Sequence, residues 1–74
     1  MKAIAYLDKE GKGLGKNTPW IYIVPAGHDP EKELVDFAGK EGTKKTILFE
    51  LSPVPQQALM VTWEDVESKK IREL

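Results

Sequence analysis

The densest apolar run in this chain is Trp20-Ile21-Tyr22-Ile23-Val24, with Pro19 before it and Pro25 after it. Its β-branched and aromatic side chains predict a strand. Trp20, Tyr22 and Val24 fall on one face of that strand, Ile21 and Ile23 on the other. Both faces are apolar, so the strand is expected to be covered on both sides. One chain of 74 residues has little mass to spare for that, which points to a homodimer.

The other elements follow from the same patterning. Lys2–Leu7 alternates, with Ala3, Ala5 and Leu7 against Ile4 and Tyr6, and predicts a first strand. Asp29 is a good N-cap and Pro30 suits a first helical position. Leu34, Phe37, Ala38 and Glu41 then share one side at helical spacing, with Val35 at its edge, until Gly39 and Gly42 end the helix. Thr46–Leu51 alternates again, with Ile47, Phe49 and Leu51 on one side and Thr46, Leu48 and Glu50 on the other. Ser52-Pro53-Val54-Pro55 forces a turn, and Ala58–Thr62 predicts a fourth strand. Thr62 resembles an N-cap, with Asp65 in the capping-box position. The stripe Trp63, Val66, Ile71, Leu74 predicts a short helix over 63–74. The fold class is therefore α+β, a β-rich domain over residues 1–62 followed by a C-terminal helix or tail over 63–74.

Composition narrows the function. With no cysteine there are no disulfides or thiolate sites, which fits a reducing compartment. Structural zinc would have His28 as its sole nitrogen ligand, so a zinc fold is excluded. No apolar run approaches the ~20 residues of a membrane helix, and no signal-peptide pattern opens the chain. The expected location is cytoplasmic. Net charge is −1, which gives no global attraction to nucleic acid. Its distribution is uneven: Lys2, Lys9, Lys12 and Lys16 outnumber Asp8 and Glu10 up to Thr18. Acids dominate from Asp29 to Glu41.

The loop Asp8–Thr18 interleaves Gly11, Gly13 and Gly15 with Lys12 and Lys16. It is not a P-loop, because Glu10 stands where the first glycine belongs and Asn17 where the Ser or Thr belongs. GxGxxG fails as well, since Lys16 or Thr18 takes the third glycine position. Two readings stand: a flexible basic loop that lies along a phosphate backbone, or a solvated connection. His28 adjoins Asp29, but a helix cap uses the carboxylate better than an acid/base pair does, and nothing nearby completes a catalytic set. The expectation is a non-enzyme without a cofactor. Trp20 and Trp63 are core residues by default. Trp63, at a strand-to-helix junction, is the better candidate for a partner-facing position.

The order β-β-α-β-β, with Ile23-Val24-Pro25 after the second strand, resembles the swapped-hairpin barrels of the AbrB and MazE families. The helix ending over Leu34–Gly39, then Lys40-Glu41-Gly42, Lys44, Lys45 and the alternating Ile47–Leu51 carry the rest of the likeness. The chain departs from that pattern in a longer Pro25–Gly42 connection, in Thr43 where Asp is usual, and in Asp36 where a basic residue is common. The resemblance implies a barrel-like domain, an intertwined homodimer that binds DNA and, in antitoxin members, a tail that masks a toxin. The function expected is a small dimeric DNA-binding transcriptional regulator or antitoxin-like protein, with Lys9, Lys12, Lys16, Lys44 and Lys45 on phosphates. The alternative is a protein-interaction or adaptor module without nucleic-acid binding, docking a partner through exposed strand edges or through Trp63, Val66 and Ile71 on the last helix.

Overall fold

The computed structural model describes residues 1–39, 43–51 and 61–74. In chain order they form β1 (Lys2–Leu7), β2 (Trp20–Ile23), α1 (Pro30–Gly39), β3 (Lys44–Glu50), α2 (Trp63–Ser68) and β4 (Lys70–Glu73). The strands make one antiparallel four-stranded sheet in the order β2-β1-β3-β4. That sheet is open. β2 and β4 end it on either side, in place of the closed barrel expected from the sequence.

The doubly covered strands are β1 and β3. Ala3, Ile4 and Ala5, with Ile47, Leu48 and Phe49, are buried whichever way they point. On one face Ile4 and Leu48 meet Leu34 of α1 and Val24, and Tyr6, Tyr22 and Phe37 pack around them. The Phe37 ring centre lies 4.9 Å from that of Tyr6 and 4.7 Å from that of Tyr22. On the other face Ala3, Ala5, Ile47, Phe49 and Leu51 meet Val61 and Val66, with Ile21 and Trp63 against them. Each large aliphatic or aromatic side chain so buried contributes about 1.5–3 kcal/mol.

The expectation that Trp20–Val24 is covered on both sides is therefore corrected. β2 is an edge strand, with Trp20 38% and Ile23 43% exposed. Its hydrogen bonds show which way each residue faces. The Val24 N–H donates to the Lys2 carbonyl at 3.1 Å, and the register pairs Ile4 with Tyr22 and Tyr6 with Trp20. Even-numbered residues of β2 thus bond to β1, and Ile21 and Ile23 direct their backbone groups outward.

Two helix starts match their sequence signals. The Asp29 side chain accepts from the Glu31 N–H at 3.1 Å, and its carbonyl accepts from the Glu33 N–H at 3.0 Å. At α2, Thr62 accepts from the Asp65 N–H at 3.3 Å, while the Asp65 carboxylate accepts from the Thr62 N–H at 3.1 Å. The helix expected over 63–74 is corrected to residues 63–68, followed by β4. The Glu50 N–H donates to the Lys69 carbonyl and the Leu74 N–H to the Thr46 carbonyl. These bonds satisfy backbone groups of β3 that a continued helix would leave unpaired. The turn at Ser52–Pro55 and most of the expected Ala58–Thr62 strand lie outside the described residues. Val61 and Thr62 are not in a strand. No helix among the described residues is long and apolar enough to cross a membrane.

Glu50 holds the start of β1 to β3, with Lys2 Nζ and the Met1 amino group each 2.6 Å from its carboxylate oxygens. The hydrogen bond from Lys2, then that from Met1, lowers its pKa to about 2. A carboxylate whose pKa is depressed on folding stabilises the fold above its unfolded range, and that stability is lost as pH falls toward the folded value. Melting temperature is expected to fall from about pH 5 to about pH 2, and Glu50→Gln to flatten that acid limb. An unchanged limb in the variant would contradict the assignment. Asp29→Ala is expected to cost about 1 kcal/mol in denaturant unfolding, the usual loss of an N-cap.

Candidate nucleic-acid interface

The loop between β1 and β2 is built, not slack. Asp8 closes its first half: its side chain accepts from the Glu10 and Lys12 N–H groups at 2.9 Å each. The Asp8 N–H in turn donates to the Lys12 carbonyl at 2.8 Å. In the second half the Leu14 and Gly15 N–H groups converge on the Thr18 carbonyl at 3.0 and 3.3 Å. That fold-back needs glycine, because a Cβ on Gly13 would lie 2.4 Å from the Thr18 carbonyl oxygen. The loop is then tied to the start of α2, where the Trp63 N–H donates to the Asn17 carbonyl at 3.0 Å.

This tie creates an open groove of about 460 Å³ lined by Leu7, Gly11, Lys12, Gly13, Gly15, Lys16 and Trp63. Lys45 approaches Trp63, one wall of that groove, from β3. Its Nζ sits 4.6 Å from the centre of the Trp63 ring, within the range of a cation–π contact. A bulge accounts for that reach. Ala5 pairs with Ile47 but Leu7 with Lys44, so Lys45 and Thr46 together oppose Tyr6. Lys45 takes the left-handed conformation, φ 51°, in a position that glycine usually fills in this type of bulge. The extra residue re-aims its side chain, and the strain is held by the fully buried β3 that follows.

The sequence candidates thus divide. Lys12, Lys16 and Trp63 line one groove, and Lys45 lies against the Trp63 ring. Lys9 is exposed but does not line the groove, and Lys44 is exposed across from Leu7 in the ladder. Lys12 lies 4.0 Å from Glu10, a loose pair between exposed side chains, whereas Lys16, Lys44 and Lys45 make no ion pair among the described residues. Trp63 is partly buried, its ring packed on the core and capped by Lys45. Val66, expected to face a partner, is fully buried between α2 and the sheet and serves the core. Ile71 is exposed, on β4 and not on a helix. The single-letter pattern could not show Lys45 beside Trp63, because a bulge reverses the alternation that places residues on faces.

A second polar cluster joins β2 to α1. His28 Nδ1 lies 2.9 Å from Glu33 Oε1, and the Tyr22 hydroxyl donates to the same oxygen at 2.9 Å. The contact to His28, then that from Tyr22, lowers the Glu33 pKa, and the bond to Glu33 raises that of Tyr22. His28 therefore partners Glu33, not the neighbouring Asp29. The cluster ties the turn before α1 to β2 and α1. No protein-family model matches this chain, and no curated protein or solved structure does either.

The strain at Lys45 is measurable. Lys45→Gly and Lys45→Ala both remove the cation from Trp63, but only glycine relieves a left-handed backbone, which costs other residues roughly 1–2 kcal/mol. Lys45→Gly is expected to be the more stable variant by about 1 kcal/mol in urea unfolding. Equal stability would show that the bulge stores no strain.

Proposed function

We propose that this protein is a small DNA-binding regulator, antitoxin-like in kind, which docks on the phosphate backbone through Lys12, Lys16 and Lys45, the lysines arranged around Trp63. One observation carries the reading: a structured glycine loop sets Lys12 and Lys16 on a groove walled by Trp63, and a strained bulge, distant in sequence, brings Lys45 onto the Trp63 ring. Trp63 acts as the strut, anchoring the loop through its backbone and Lys45 through its ring. Lysines in this setting act as point charges for phosphates, so contact positions the nucleic acid without reading its sequence. The balanced net charge limits attraction from afar and makes binding depend on this local cluster.

The test is fluorescence anisotropy with duplex and single-stranded oligonucleotides at several salt concentrations. Each phosphate contact contributes about −0.9 to the slope of log affinity against log salt on duplex DNA. Changing Lys12, Lys16 and Lys45 together to alanine is expected to flatten the slope and weaken binding to all sequences alike, while Lys9→Ala changes neither. No binding by the unaltered protein at low salt ends the reading.

A second reading, a protein-interaction module without nucleic-acid binding, draws on a separate observation. The edge strand β2 exposes Trp20 and Ile23, and strand edges are a common means of docking other chains. Under it the lysine variants leave the protein's associations unchanged.

A further inference from the structure

The two edges of the sheet differ in kind. β4 is fully exposed and carries Lys70, Arg72 and Glu73, the charged composition with which proteins discourage edge pairing. β2 carries no charge, and no charged residue occurs from Thr18 to Gly27. Both helices pack chiefly over β3, so neither overhangs the outer side of β2. The outward backbone groups of this edge are those of Ile21 and Ile23, as the pairing with β1 requires. Pro19 and Pro25 share that outward phase, and neither has an N–H to offer. Among the described residues the open edge is thus the short run Ile21–Ile23, with the fully buried Pro19 before it and the exposed Pro25 after it.

We infer that β2 pairs antiparallel with β2 of a second copy across a two-fold axis at Tyr22. In that register Ile21 faces Ile23 of the partner, and Ile23 faces the partner's Ile21. These are hydrogen-bonded pairs, so every outward N–H and C=O of Ile21 and Ile23 is used. The pairing goes no further on either side, because Pro19 is itself fully buried and Pro25 has no N–H to offer. Sliding the register by one pair of residues sets a proline against an isoleucine and leaves an isoleucine carbonyl without its donor. The proline spacing therefore selects one register, and that register is symmetric, as a two-fold contact must be.

Side chains agree with the backbone. Ile21 and Ile23 share the α2 face with Ala5 and Ala3, their partners on β1, so the paired isoleucines extend the core that already contains Ile21. On the α1 face Tyr22 meets the partner's Tyr22, and the exposed Trp20 meets the partner's Val24. The sheet becomes continuous through both copies, and its remaining edges are the charged β4 strands. This dimer does not depend on nucleic-acid binding.

Because the chain has no cysteine, single cysteines report the register directly. Residue 22 lies on the two-fold axis as a non-hydrogen-bonded pair, with Cα atoms about 4.5 Å apart, within the reach of a disulfide. Tyr22→Cys is expected to cross-link to itself under mild oxidation. Ile21→Cys and Ile23→Cys alone should not, but an equimolar mixture of the two should. Light scattering over a dilution series is expected to show a dimer for the unaltered protein. Ile23→Lys, at an exposed position, should weaken the dimer roughly tenfold or more, because the cross-strand pair is lost twice by symmetry, with an unchanged circular dichroism spectrum. Self-cross-linking of Ile21→Cys or Ile23→Cys would overturn the register. A monomer at all concentrations, or an undiminished dimer in Ile23→Lys, would overturn the interface.

Discussion

The pairing of β1 with β3 sets the terms for everything else. Ala3, Ile4 and Ala5 on one strand and Thr46 to Phe49 on the other are buried on both faces of the sheet. A sheet with two apolar faces needs two covers, and this chain supplies α1 for one and α2 with Val61 for the other. The remaining strands are then pushed outward, β2 beside β1 and β4 beside β3, and the edges become the places where backbone chemistry stays open.

Those edges carry opposite solutions to one problem. At β4, surface charges are tied down locally: Lys70 sits between Glu67 and Glu73, and Arg72 pairs with Glu31 across the sheet face. Such exposed pairs stabilise little, but they make the edge a poor surface for another strand. At β2, length and proline limit the opening instead of charge. A strand that is apolar, short and bounded by residues without donors can accept one partner in one register and no extended stack.

The lysine-bearing end follows from the same constraint. β3 must keep Ile47 and Phe49 under α2 and Leu48 under α1, and the chain reaches that register through a bulge at Lys45. The bulge turns a side chain that regular alternation would place elsewhere onto the Trp63 ring. Meanwhile Trp63 is fixed by core packing below and by the Asn17 carbonyl beside it. Packing on one side of the tryptophan thus organises charge on the other, and the cluster of cations is a by-product of how the core is closed. The loop that presents Lys12 and Lys16 is already hydrogen-bonded into shape.

Signals confined to a few neighbouring residues were sufficient in the sequence by itself. Lys2–Leu7 alternates and is a strand, Asp29-Pro30 starts a helix, Thr62 and Asp65 form a capping box, and Ile47, Leu48 and Phe49 divide between two faces. Each depends on local propensity or on a side chain reaching three residues along the backbone. The sequence also held, unread, the matched phase of Pro19 and Pro25, which marks an edge strand. What it could not settle was which strands are neighbours. Trp20–Val24 is more apolar than β1, yet β1 is central, because only the tertiary pairing with β3 decides which strand is covered on both sides. Residues 70–73 have a pattern compatible with helix, and the open backbone of β3 draws them into a strand. Likewise the meeting of Lys45 with Trp63, and of His28 with Glu33, required the bulge and the packed helix. Long-range register fixes these, and register is a property of two chain segments together, not of either alone.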